Sequence, residues 1–101
     1  MPESQRTVRV LDDAQDDAES AIAWYRAEAG DDVASRFAQE VDATLEQIAE
    51  WPFSGRAYDQ TTRGVVLHTF PFIVLYRLTT DTIDVLAVAH GRRHPHHWRE
   101  R

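Results

Sequence analysis

The hydrophobic period of this chain changes near residue 63, and that change constrains the fold more than any other feature. Before it, apolar residues recur at helical spacing. Ala14, Ala18, Ala21, Ile22, Tyr25 and Ala29 form one stripe. Val33, Phe37, Val41, Leu45 and Ile48 form a second, thickened by Ala34, Ala38 and Ala49. Asp12 or Asp13 is the expected cap of the first helix. Asp12 and Gln15 have capping-box spacing, and Asp12, Asp13, Asp16 and Asp17 crowd the end that the helix dipole favours. Gly30 suits a helix C-terminus and Asp31 the next cap. So short a connection forces the two helices into an antiparallel hairpin. Trp51-Pro52 stops the second helix, because a residue before proline avoids the α region. Trp24, Tyr25 and Trp51 fall at helical positions that suit core packing.

After position 63 the pattern is that of strands. Gly64–Thr69, Phe72–Leu78 and Ile83–Ala89 are rich in Val, Ile, Leu, Phe and Tyr, and short turns at Phe70-Pro71 and Thr79–Thr82 separate them. Arg6–Val10 reads as a short first strand, and Pro52–Thr62 as a loop turning at Ser54-Gly55. The expected fold class is α+β, in the order β-α-α-β-β-β. A helical hairpin packs on one face of a small antiparallel sheet, and residues 1–101 form a single domain. Strict alternation places Phe72, Val74, Tyr76 and Leu78 opposite Ile73, Leu75 and Arg77. It places Ile83, Val85, Ala87 and Ala89 opposite Leu86 and Val88. Both faces are thus apolar, while one hairpin covers only one. The second face calls for a cover: the first strand, the loop and the tail, a second copy in a homodimer, or a protein partner.

Charge is unevenly distributed. Residues 1–62 hold 5 Arg against 14 Asp and Glu, and residues 63–101 hold 6 Arg against 3 acids, for an overall −6. The last twelve residues, HGRRHPHHWRER, carry four arginines and four of the five histidines. A cationic end on an anionic body can select and orient a partner. With no Cys there is no disulfide, thiolate nucleophile or Cys-based zinc site. Every basic residue is Arg, so a lysine-dependent mechanism is excluded. The opening residues lack the apolar core of a signal peptide, and no apolar run reaches the roughly 20 residues of a membrane span. A cytoplasmic protein without membrane contact is expected.

Several pieces then fall into an ordered set. They are Ala21-x-x-Trp24-Tyr25, Arg36-Phe37 with Leu45-x-x-Ile48, Pro52-x-x-Gly55-Arg56, Arg63, and Phe70-Pro71-Phe72-x-Val74-x-Tyr76-Arg77. Val85-Leu86-Ala87-Val88-x-His90-x-Arg92-Arg93-x-Pro95-x-x-Trp98 completes the set. Over nearly the whole chain this order resembles the ParE/RelE superfamily of small bacterial toxins from type II toxin–antitoxin modules. It is closer to the ParE, or plasmid-stabilisation, branch than to RelE. The resemblance implies a cognate antitoxin whose C-terminal segment wraps the toxin. It also implies one of three activities: inhibition of DNA gyrase, as in ParE; mRNA cleavage on the ribosome, as in RelE; or antitoxin binding by a degenerate, non-toxic member.

The residues weigh differently on these activities. An RNase needs a base, an acid and a cation on the phosphate, for which Arg63, His90, Arg93, His94 and His97 are the candidates. Against it stand the missing lysines that RelE-type sites resemble, and a net charge poor for docking on ribosomal RNA. The histidines His90, His94, His96 and His97 have metal-like spacings. Gly91 and Pro95 nevertheless interrupt any helix through them, and no metal or other cofactor is expected. The expected activity is therefore binding without catalysis. Arg63, His90, Arg92, Arg93 and Arg99 form the target- or partner-binding set, with Trp98 as an aromatic anchor. In the bland alternative Trp98 pins the tail to the domain and the arginines pair with helix acids. His90 can equally be a structural residue, and Arg63 either a solvated edge charge or a neighbour of the tail cluster.

Overall fold

A computed structural model of the chain describes residues 6–91. Strand β1 (Thr7–Val10) leads into helices α1 (Asp12–Ala29) and α2 (Asp31–Glu50). Strands β2 (Arg56–Ala57), β3 (Thr62–Val66), β4 (Phe72–Leu78) and β5 (Thr82–His90) follow. They form one five-stranded sheet in the order β1-β5-β4-β3-β2. After β1 the chain crosses the helical layer to the far edge, then returns strand by strand until β5 lies beside β1. That path makes β1–β5 parallel, from Thr7↔Thr82 to Val10↔Val85, and every other pairing antiparallel. The sheet is mixed rather than purely antiparallel, and β2 is a strand inside the expected loop. The first strand lies within the sheet as an edge and does not fold over its second face.

The helical hairpin turns on one residue. Gly30 is at once the C-cap of α1 and the N-cap of α2, with φ of 94°. Only glycine takes that conformation without steric cost. Asp31 therefore belongs to the first turn of α2 instead of capping it. At α1 the N-cap is Leu11, not Asp12 or Asp13, and no side chain caps it. Its backbone N–H donates to Val85 O (3.1 Å) and its carbonyl accepts from Gln15 N–H (3.0 Å), so the sheet itself fixes where α1 begins. Trp51, with φ −130° and ψ 75°, ends α2 ahead of Pro52 as expected.

Between the layers lies a core of Ala14, Phe37, Ile48, Val74, Tyr76, Ile83, Val85 and Val88. Its upper end is aromatic. The Phe37 ring meets Phe70 edge-on at 5.2 Å and Phe72 at 5.0 Å, and Tyr25 meets Phe70 at 5.0 Å. The strict alternation expected in β5 fails at Leu86. Tyr76 pairs Val85 while Leu75 pairs Ala87, so Leu86 is an extra residue, a β-bulge. Ile83 and Val85 face the helices, and beyond the bulge so does Val88. Ala87 and Ala89 move to the outer face with Leu75 and Ile73.

The outer face has two halves. Tyr58, Ile73, Leu86 and Ala89 pack on the buried pair Leu75 and Ala87, so the β2–β3 segment supplies part of the cover. The other half is ionic. Asp84, only 3% exposed, accepts two hydrogen bonds from Arg9 (Nε 2.8 Å, Nη2 2.9 Å) and faces Arg77 at 3.8 Å. One carboxylate thus ties β1, β5 and β4 together.

Two close approaches fix the loop after α2. The buried Tyr76 hydroxyl donates to Pro52 O (2.7 Å) and accepts from Gly55 N–H (3.1 Å). A Cβ on Gly55 would lie 2.5 Å from that hydroxyl and 2.9 Å from Gly64 O, which accounts for the glycine of Pro52-x-x-Gly55. Replacing Tyr76 by Phe strands both backbone groups, and urea unfolding is expected to show a loss of about 1–3 kcal/mol. The Arg9 hydrogen bonds, with Arg77 nearby, outweigh the upward push of burial and hold Asp84 below the usual aspartate range. Its folded value is lower than its unfolded one, so its stabilisation is complete above the unfolded pKa. That stabilisation is lost as pH falls through the folded value. Asp84→Asn is therefore expected to lower the melting temperature at neutral pH and to flatten its fall as pH drops below about 4.

Candidate partner-binding site

The upper end of the sheet opens into a cleft of about 660 Å³ between α1 and β5. Its helical wall carries Asp17, Ser20, Ala21 and Trp24, which share one face of α1 through i, i+3, i+4 and i+7 spacing. The opposite wall is Pro71, Phe72, Val88 and His90. The cleft exists because β1 stops at Val10↔Val85, which leaves the last residues of β5 without a strand on that side. Asp17 fills part of the gap. Its Oδ2 accepts the Val88 backbone N–H at 3.0 Å, where a neighbouring strand would have supplied a carbonyl. His90 stacks edge-on against Phe72 at 5.1 Å and is half-buried. It packs on Phe72 and lines the cleft.

Adjacent residues on a helix point about 100° apart, so Trp24 and Tyr25 cannot both face the core. Tyr25 does, against Phe37 at 5.2 Å. Trp24 remains 59% exposed at the cleft rim with its ring 5.1 Å from Tyr25. Trp51 is 50% exposed, so neither tryptophan is the core residue expected of it.

Arg63 sits elsewhere. It pairs with Tyr76, whereas His90 pairs with Phe72, four residues up β4. At about 3.3 Å per residue the two positions are roughly 13 Å apart along the strand. The Arg63 Nη1 donates to Gly55 O (2.8 Å) and Phe53 O (3.2 Å), and its guanidinium lies 5.0 Å from the Phe53 ring centre. It is neither an edge charge, since Ala57 of β2 pairs outside it, nor a companion of His90. It braces the loop that Tyr76 also holds. The other expected site residues, Arg92, Arg93, Trp98 and Arg99, with the RNase candidates His94 and His97, lie outside the described residues.

Two positions that sequence reasoning missed are Asp17 and Glu40. The Glu40 Oε1 accepts the Thr69 N–H at 2.6 Å and so fastens α2 to the β3–β4 turn. Burial pushes Glu40 up, but bonds from Thr69 and the neighbouring His68 outweigh it and leave its pKa lowered. In the sequence Asp17 is one of four acids that the dipole of α1 favours. Its signal was a place on the same helical face as Trp24. Among the described residues no group of three or more His, Asp or Glu side chains is placed to hold a metal.

A helical hairpin on one face of a mixed five-stranded sheet, with an open cleft beside α1, is an α+β architecture that known proteins share. The family model described as "ParE toxin of type II toxin-antitoxin system, parDE" matches residues 8–95, and the chain belongs to that family. Toxin ParE2 of Mycobacterium tuberculosis, strain CDC 1551 / Oshkosh, is 32% identical over 90 residues, covering 89% of this chain and 86% of its own. The same toxin of strain H37Rv matches equally. A solved structure titled "Chromosomal ParDE TA system from P. aeruginosa" superposes with a TM-score of 0.75 at 16% identity, over 84% of this chain and 95% of that one. It shows the shared fold.

Trp24→Ala is expected to change unfolding free energy by less than about 1 kcal/mol, because the ring is largely solvated. Tyr25→Ala, which opens the aromatic core, is expected to cost about 2–4 kcal/mol. Urea denaturation of the two variants side by side measures the difference.

Proposed function

We propose that this chain is the toxin half of a type II toxin–antitoxin module in the cytoplasm, neutralised by a cognate antitoxin protein, and that its target is DNA gyrase. The observation that carries the proposal is the match to the ParE toxin model over residues 8–95. ParE toxins are the branch associated with gyrase, and the ParE2 relatives match across most of both chains.

The geometry supports binding over RNA cleavage. An RNase would need its cation and its proton-transfer group on the same phosphate. Arg63 is engaged by two carbonyls at one end of the sheet, and His90 packs on Phe72 at the other. A protein partner is supported by apolar side chains left on the described surface: Trp24 at the cleft and Val66, 64% exposed, on β3. Antitoxins act by covering such surfaces, and a partner that adds strand or helix over them is the expected mode. No helix among the described residues is long and apolar enough to cross a membrane.

Purified protein added to gyrase and supercoiled DNA is expected to yield linear DNA after detergent and protease treatment. Arg92→Ala with Arg93→Ala should abolish this without altering the melting temperature. In cells, induction should arrest growth, and co-expression of the adjacent antitoxin should restore it. Mapping transcript 5′ ends during the arrest distinguishes the alternative. New ends clustered within translated codons would make the protein a ribosome-dependent endonuclease and remove the gyrase reading. Unaffected growth with tight antitoxin binding would identify a non-toxic member.

A further inference from the structure

We infer that the turn after α2 carries a second docking surface, separate from the cleft beside α1. There the Arg63 guanidinium receives a carboxylate from an acidic segment of a partner protein, and the rings of Phe53 and Trp51 receive an apolar side chain beside it. The inference rests on reading the chain as a binding protein and not on which target it binds. Arg63 is its centre. The Nη1 donates to Gly55 O (2.8 Å) and Phe53 O (3.2 Å), and the guanidinium lies 5.0 Å from the Phe53 ring centre. These contacts fix the group in place, yet they occupy one of its three nitrogens and bring no negative charge. The edge left over is the one formed by Nε and Nη2. Arg9 shows in the same molecule what that edge does, since it holds Asp84 with Nε at 2.8 Å and Nη2 at 2.9 Å. Such two-pronged pairing is the strong mode of arginine with a carboxylate. Arg63 presents the same edge, and no acid among the described residues pairs with it.

The surroundings match. Arg6 lies against the same ring, 5.6 Å from its centre, and its Nε donates to Thr79 O at 2.8 Å. Two cations thus stand on one phenylalanine, where the ring face attracts them. That ring is nevertheless 52% exposed, and Trp51, two residues earlier, is 50% exposed. Neither is explained by the core. Both stand on a turn that is held rigidly: Ser54 N–H donates to Trp51 O (3.0 Å), and the Tyr76 hydroxyl bridges Pro52 O and Gly55 N–H. Exposed aromatic rings beside arginine are the composition of binding hot spots. Fixing them before the partner arrives lowers the ordering cost of association.

Charge selects the occupant. Arg63 calls for an anion, which nucleic acid and protein can both supply. A nucleic-acid strand carries a phosphate at every nucleotide and is bound along a track of cations. The turn offers two arginines on a chain of net charge −6, which repels such a strand. A protein segment brings one carboxylate with an apolar neighbour, and the guanidinium and the two exposed rings match that pair. The surface is also distinct from the cleft, because Arg63 pairs with Tyr76 while His90 pairs with Phe72.

The full chain, labelled with nitrogen-15, tests this by nuclear magnetic resonance. The probe is a capped peptide of alternating glutamate and leucine, beside the same peptide with glutamine in place of glutamate. The glutamate peptide is expected to shift the Arg63 Nε–H signal and the amides of Phe53 and Gly55, with a dissociation constant on the order of millimolar. The glutamine peptide should leave them in place. Arg63→Lys keeps the charge but loses the fork, and should weaken binding about tenfold on the same amides. Because that change also removes bonds holding the turn, Phe53→Ala provides a second variant at a half-exposed ring, with weaker binding again expected. Equal shifts with both peptides would overturn the proposal, as would no shift at Arg63 with the glutamate peptide. Tighter binding of a single-stranded thymidine oligonucleotide would assign the surface to nucleic acid and overturn it too. So would shifts that grow with protein concentration alone, which would assign it to a second copy. No antitoxin or gyrase enters the experiment, so its failure leaves the toxin reading untouched and is distinguishable from it.

Discussion

The rest of this structure depends on the pairing of β4 with β5. Val74 and Tyr76 from one strand and Ile83, Val85 and Val88 from the other make the floor on which both helices lie. β5 also carries the parallel contact to β1, and β1 sets the first turn of α1 through Leu11 and Val85. β4 in turn holds the loop after α2 through the Tyr76 hydroxyl and orders β3 along its other side. Every element therefore takes its place from two adjacent strands near the end of the chain. Contacts between residues so far apart in sequence cost loop-closure entropy before they give any return. The helical hairpin, which needs only local contacts and one glycine, can form earlier, but its apolar stripe is not buried until the floor exists.

Much of this was legible in the sequence because local physics decided it. Apolar spacing located both helices, Trp51-Pro52 ended the second, and Gly30 marked the hairpin turn. The failures share a cause, which is that tertiary contacts replaced the local signal. Asp12 and Gln15 have capping-box spacing, yet a carbonyl of β5 fixes the helix start, and the Gln15 side chain bonds Glu19 at 2.9 Å. The loop at 52–62 contains a two-residue strand because Gly64 and Arg63 offer it an edge. The parallel sense of β1 depends on the route of the whole chain, and no spacing encodes that. Nor does spacing encode a bulge. Alternation through β5 put Val88 opposite Val85, and one extra residue at Leu86 reversed it.

The candidate site was legible in a different measure. His90 is a candidate in the sequence and lines the cleft against Phe72, whereas Arg63, read there as an edge charge or a neighbour of the tail cluster, works at the far end of β4 as a brace. Arginine beside a strand start signals charge and not what that charge does. Here two carbonyls and the Phe53 ring absorb it. Asp17 shows the opposite error. Among four acids in the sequence DDAQDD it looked interchangeable, and only the early end of β1 gives it a backbone N–H to satisfy and a cleft to line. Family membership supplies the class of protein. The roles of individual side chains still have to be read from their contacts.

The bulge at Leu86 has a bearing on how such chains can vary. Side chains alternate along a strand, so the parity of residues between Val85 and Gly91 decides which face of the sheet the chain end departs from. With the bulge, His90 falls on the helical side beside Phe72. A chain one residue shorter at Leu86, paired without the bulge, would keep that arrangement. One lengthened between Val88 and His90 would turn the histidine outward while Val88 stays in the core. A single insertion beyond Val88 would leave the floor made by Val74, Tyr76, Ile83, Val85 and Val88 in place and still change which side chain meets Phe72.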